Sequence, residues 1–252
     1  RINYAVKLAV AIIVDSEYGK KNLSQKYNAD KDRIGVIPFE PLLDIKNKEN
    51  ISLSKRNHIK NYKNLSEYIF YPAQIWPHKN HIYIVKALSI LKEKHNININ
   101  AVFSGGDKRH KDKVISFAKK FDLLNNIFFT GFISNKELIA LYKFSLALVM
   151  PTYFGPTNIP PLEAFNIGVP VIYPDLIGLR DQVGDAALLA DLNDPNSLSN
   201  CILKLKKDTN LRKDLIKKGF LMAEKNKNED RLNTLKKLLV PFINKYSNLK
   251  IL

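Results

Sequence analysis

Lys79 and Glu163 are the two residues whose type and setting best fit chemistry on an anionic, hydroxyl-bearing ligand. Lys79 falls where a helix is about to begin, in Gln74-Ile75-Trp76-Pro77-His78-Lys79-Asn80. A cation there opposes the helix dipole, and an anion held at the same spot would give it a reason. Glu163 follows Pro160 and Pro161, which fit a first helical turn because a missing N–H costs nothing there. Its carboxylate either complements the dipole of that turn or accepts hydroxyl groups of a ligand at the helix end. The residue alone leaves both readings open.

Other reactive groups carry less. His78 and His81 are three apart, a spacing that metal ligands also use, but no Cys, Glu or further His stands ready to complete a set. No metal is expected. Cys201 is the single cysteine and lies on the apolar face of a helix, so it reads as a small buried hydrophobe in a reducing compartment. Gly105-Gly106-Asp107 follows an apolar run and either approaches a phosphate or makes a tight turn. Arg180 and Asp181 sit in a later loop, where a surface ion pair is the plain reading.

The elements around these residues alternate. Apolar runs at Tyr68-Ile69-Phe70-Tyr71, Ile99 to Phe103, Ile127 to Thr130, Leu146 to Met150 and Val169 to Tyr173 are long enough for buried strands and too short for helices. Between them the pattern predicts helices from about Asn80 to Lys94, Lys111 to Phe121, Lys136 to Tyr142 and Pro161 to Asn166. A short strand at Ala187 to Ala190 and helices near Asn196 to Lys207 and Asn210 to Lys225 follow. This rhythm predicts an α/β fold with a Rossmann-like, doubly wound parallel sheet. In such sheets anionic ligands bind at helix N-termini outside the carboxyl ends of the strands. Residues 1–41 read as helix end, strand, helix and strand; 42–67 as a polar linker; 68–226 as the sheet domain; and 227–252 as a tail helix.

At 252 residues and 45% hydrophobic, the chain has ample core. No apolar run approaches the length of a membrane span, and there is no secretory signal pattern. The chain opens inside what reads as a helix, so a piece of a longer, cytoplasmic protein is expected. Its net charge of +16 comes from lysines scattered over predicted helices, with no arginine-rich block or nucleic-acid module. A solvated surface is the default, attraction to the anionic inner face of a membrane is the functional reading, and nucleic acid is not an expected partner.

The wording of the stretch from Pro151 to Val171, with Pro160-Pro161-Leu162-Glu163-Ala164-Phe165 and Gly168-Val169-Pro170-Val171 at its end, resembles the donor-binding region of retaining GT-B glycosyltransferases. The group is glycosyltransferase family 4, also called group 1. The resemblance covers nearly the whole chain and implies the C-terminal, donor-binding half of a GT-B fold with a short fragment of the N-terminal, acceptor half. It implies transfer of a hexose, with retention and without a metal or cofactor, from a GDP- or UDP-hexose to a saccharide or lipid-linked acceptor in polysaccharide or glycoconjugate biosynthesis.

The resemblance also implies roles. Glu163 matches the second of two family glutamates and would hold the ribose hydroxyls; the first falls on Gly155, so that carboxylate is absent. Lys79 would contact the donor diphosphate, and Lys79 and Glu163 are the implied catalytic pair. The family's arginine five residues before the lysine is Gln74 here, and the glycine before that is Ala73, so fewer cations would hold the diphosphate. Thr157, Asn158 and Ile159 lie where backbone amides face donor sugar and phosphate. Gly131, Phe132 and Ile133 match the loop that contacts the base. The departures at Gly155 and Gln74 leave a second expectation open, a nucleotide-sugar-binding domain that has lost catalysis.

Overall fold

The computed structural model describes residues 1–40, 65–155, 157–227 and 231–247. Most of the expected 42–67 linker lies outside the described residues.

The described chain divides into two compact units, residues 65–224 and residues 1–40 together with 225–247. In the smaller unit, α1 (Ile2–Leu8) leads to β1 (Ile12–Val14), α2 (Glu17–Tyr27) and β2 (Ile34–Val36). The two strands pair in parallel, Ile12 opposite Ile34. Ser16 caps α2 by accepting from the Gly19 N–H, which satisfies one of the orphan amides of a helix start. The tail belongs to this unit: Leu238, on the helix Arg231–Ser247, lies against Gly35, and Arg231 pairs with Glu40.

The larger unit is a six-stranded sheet. Its strands are β3 (Tyr68–Pro72), β4 (Asn100–Ser104), β5 (Ile127–Gly131), β6 (Ala147–Val149), β7 (Val171–Pro174) and β8 (Ala187–Ala190). Every pairing is parallel and the spatial order is β5-β4-β3-β6-β7-β8. Strands covered on both faces should be apolar without alternation. Tyr68, Ile69, Phe70 and Tyr71 are all at most 1% exposed, which is why that run reads as continuous.

Helices connect the strands: α3 (His81–His95), α4 (Lys111–Lys120), α5 (Asn135–Phe144), α6 (Ile159–Ile167), α7 (Arg180–Val183), α8 (Pro195–Lys207) and α9 (Thr209–Lys227). The tail helix Arg231–Ser247 is α10. Local sequence sets their ends. Ser134 and Glu137 form a capping box on α5, and Gly168 ends α6 in the left-handed region at φ 82°. A Cβ on Gly168 would stand 2.7 Å from the Phe220 ring, so glycine is required twice over.

Two boundaries matter for function. The sequence places the start of α6 at Pro161, but the helix begins at Ile159. Glu163 is therefore its fifth residue and not a first-turn carboxylate, and the dipole gives it little reason to be there. The prolines, now the second and third residues, leave Ile159 alone among the first three with an N–H. This helix end offers fewer amides to an anion than its position promises.

Candidate functional site

The sheet reverses direction at β3. From β3 the chain steps outward to β4 and β5, then returns to build β6, β7 and β8 on the other side. A crevice opens at such a reversal, outside the carboxyl ends of the two central strands. The loops that follow β3 and β6 carry Lys79 and Glu163, with Glu163 a turn into α6.

These two loops are bonded to each other. The His78 carbonyl accepts from the Tyr153 N–H at 3.0 Å and from the fully buried Thr152 hydroxyl at 3.4 Å. Aromatic rings continue the contact: Trp76 stacks on His78, and His78 lies 5.7 Å from Phe154 between ring centres.

Lys79 closes a single 3-10 turn, Pro77–Lys79, just before α3. The Tyr71 hydroxyl, rising from β3, donates to the Lys79 carbonyl at 3.1 Å and fixes that turn. The ammonium is half-buried, and burial pulls its pKa below the ordinary lysine value. Among the described residues no carboxylate stands within ion-pair distance of it. A partly desolvated cation without a counter-ion is a place for an anion.

Glu163 is held from below. The Tyr142 hydroxyl, on α5, donates to Glu163 Oε2 at 2.7 Å, and Tyr142 itself is fully buried with its ring edge-on to Phe70. Burial raises the Glu163 pKa, and the tyrosine's bond to the carboxylate opposes that rise. One carboxylate oxygen is thus anchored in the protein, in a side chain that remains half-buried.

The loop before α6 is organised from inside. Gly155 adopts φ 102°, and a Cβ there would stand 3.1 Å from Asn158 Oδ1. Asn158 is buried, and its amide donates to the Gly155 carbonyl at 3.0 Å and to the Tyr173 hydroxyl at 2.6 Å. It gives α6 no side-chain cap. Thr157 and Ile159 flank it, half-buried and exposed respectively.

The other sequence candidates have mixed settings. Gln74 is exposed, and its Oε1 accepts from the Trp76 indole at 2.9 Å, so it is spent on its own loop. Gly105 is glycine because a Cβ would lie 2.6 Å from the Ala73 carbonyl oxygen at φ 141°. Asp107 accepts from the His110 and Lys111 amides and starts α4. Gly131 ends β5, and Phe132 and Ile133 follow it, with Phe132 leaving 82% of itself exposed. His81 sits in the core between Tyr71 and Phe103, away from His78's surface stack, so the two histidines share no face. Arg180 pairs with Asp175. Among the described residues no cluster of His, Cys, Asp or Glu could hold a metal, and no helix is long and apolar enough to cross a membrane.

Sequence reasoning missed Tyr142, Tyr173 and Gln182. The polar partner of each comes from a distant element.

The family model for glycosyl transferases group 1 matches residues 54–222, about two thirds of the chain. The chain belongs to that family. The O-antigen chain mannosyltransferase B of Escherichia coli is 27% identical over 157 residues, covering 62% of this chain and 41% of that protein. The O-antigen chain mannosyltransferase RfbU of Salmonella typhimurium is 24% identical over 201 residues, covering 80% of this chain and 52% of its own. The chain spans about half the length of the curated relatives it matches. Among solved structures, Anabaena HepE in complex with UDP-glucose superposes with a TM-score of 0.78 at 16% identity, over 96% of this chain and 66% of that one. The group 1 chain thus has the Rossmann-like fold of the GT-B glycosyltransferases.

Proposed function

We propose that the 65–224 unit binds a nucleoside-diphosphate hexose and serves a retaining, metal-independent glycosyltransferase of the family 4 type. The observation that carries this reading is Lys79: a half-buried cation without a carboxylate partner among the described residues, at the crevice where the sheet reverses. Its partner is the donor diphosphate. The Ile159 N–H and the dipole of α6 add to the same charge.

Glu163 takes the ribose hydroxyls on the oxygen that Tyr142 leaves free. Phe132, with its ring in solvent at the end of β5, lies against the base. Retention requires that a hydroxyl attack the sugar face from which the diphosphate departs. The protein's task is therefore to stabilise the leaving charge where it develops. Lys79 does this as a fixed cation, a role that metal ions fill in other transferases.

The mannosyltransferase relatives favour a polysaccharide or glycoconjugate product. The acceptor is a saccharide or lipid-linked saccharide presented from outside this unit, and the basic surface brings the protein to the anionic inner face of a membrane. The absence of a carboxylate at Gly155 is an adaptation and not a lesion: Asn158 fills the space from within.

The experiment is transfer from UDP- and GDP-hexoses to lipid-linked acceptors in membrane extract, by a longer protein that contains this chain and by the chain itself. The expected result is an α-linked product from an α-linked donor in the first case, and donor binding without transfer in the second. Inverted product, or transfer by the chain alone at the same rate, would overturn the reading.

A further inference from the structure

Gln182 makes an unusual pair of bonds. Its Oε1 accepts from the Asn158 N–H at 2.9 Å, and its Nε2 donates to the Asn158 carbonyl at 2.5 Å. One side-chain amide thus grips both backbone groups of a single residue, as a neighbouring strand would. The Tyr173 hydroxyl joins them, donating to Gln182 Oε1 at 2.9 Å and accepting from the Asn158 side chain at 2.6 Å. The Asn158 side chain then reaches the Gly155 carbonyl.

The base of this network lies against the buried core. Tyr173 belongs to a buried strand, and α7 is pinned to the core by Leu179 and Val183 on either side of Gln182. The network holds Gly155 and Asn158, at the end of the chain segment that leads from β6 to α6. That end needs an outside hold, because Gly155 is in a positive-φ conformation and Asn158 provides no side-chain cap to the helix it starts. Precision matters here for a second reason. Pro160 and Pro161 remove two of the first three amides of α6, so the Ile159 N–H carries what three would normally share.

We propose that Gln182 and Tyr173 are positioning residues, which hold Asn158 where it presents the Ile159 amide to the donor diphosphate. The proposal rests on the donor reading of the site. Neither side chain touches the ligand, and both act through Asn158. This explains how the site works without a carboxylate at position 155: Asn158 is fixed from behind by amide and phenol groups. It also explains why Asn158 is an asparagine, since its amide must donate to two oxygens at once.

Two substitutions separate positioning from general packing. Gln182→Leu deletes both backbone bonds from a half-buried position, and Tyr173→Phe deletes one hydroxyl while its ring stays in the core. The probes are UDP, GDP, uridine and guanosine, titrated calorimetrically into the intact chain, with NMR amide exchange at Asn158 measured without ligand. Gln182→Leu should expose the Asn158 amide to exchange and weaken the diphosphate that binds wild type by about tenfold, the size of one or two buried hydrogen bonds. The corresponding nucleoside should keep its affinity, because Glu163 is untouched. Tyr173→Phe should move the same readings in the same direction by less. Unchanged Asn158 exchange, or equal losses for nucleoside and diphosphate, would overturn the positioning role. Wild type that binds neither diphosphate would refute the donor reading and the positioning role with it. Wild-type binding that survives Gln182→Leu unchanged would refute the positioning role alone.

Discussion

Tyr142 and Glu163 form a 2.7 Å hydrogen bond between a fully buried phenol and a half-buried carboxylate, and this bond aims the carboxylate. It also sets a pH dependence. Burial raises the Glu163 pKa, while the phenol stabilises the charged form and holds the rise in check. Hydroxyl groups of a ribose are accepted by the ionised form. Nucleoside affinity should therefore fall as pH drops through the raised Glu163 pKa. Tyr142→Phe removes the donor, so the charged form is less favoured and the midpoint should move to higher pH. Titration of uridine and guanosine across the acid range checks this, and an unmoved midpoint would detach Tyr142 from the site.

Gly155→Glu supplies the carboxylate that the family resemblance implies at this position, yet it should not improve the protein. A side chain at φ 102° costs on the order of 1–3 kcal/mol, and the new Cβ would press on the Asn158 amide at 3.1 Å. Thermal unfolding should show a lower midpoint, and donor affinity should fall with it. A variant as stable as wild type that binds more tightly would mean that Gly155 is a simple loss.

His81 predicts how the chain meets acid. It is fully buried between Tyr71 and Phe103, neither ring nitrogen has a hydrogen-bond partner, and burial pushes its pKa down to about 3. The folded state thus keeps it neutral, whereas the unfolded chain takes up a proton near pH 6.5. Its contribution to stability is complete above about pH 6.5 and is lost as pH falls towards 3, by up to about 1.4 kcal/mol per pH unit. His81→Phe should flatten that part of the stability curve, as read by urea unfolding at several pH values. An acid limb identical to wild type would assign the loss to other groups.

Much of the fold was legible in the sequence because its strands are covered on both faces. Tyr68 to Tyr71 and Leu146 to Met150 are unbroken apolar runs for that reason, and helix Glu17–Tyr27 lies where its pattern places it. The start of α6 was not legible to the residue: two prolines fit a first turn equally well one or two positions further in. Lys79 and Glu163 stood out because they flank breaks in the pattern just after central strands. Their partners did not. Tyr142 is 21 residues from Glu163 and Gln182 is 24 from Asn158, distances closed only by the order in which β3, β6 and β7 line up. The Asn158 backbone N–H, expected to face the donor, is bonded to Gln182 Oε1, and its side-chain amide to Gly155 and Tyr173.

The central claim is that diphosphate and ribose are held by different residues of one crevice, and calorimetric titration of three proteins tests it most directly. The wild-type chain, Lys79→Ala and Glu163→Ala would each receive UDP, GDP and the matching nucleosides. Lys79→Ala should lose one charge-assisted hydrogen bond, about 1.5–3 kcal/mol or roughly ten- to a hundredfold for the diphosphate, and leave the nucleoside unchanged. Glu163→Ala should weaken nucleoside and diphosphate alike. Equal affinity for every ligand in all three proteins would contradict the account.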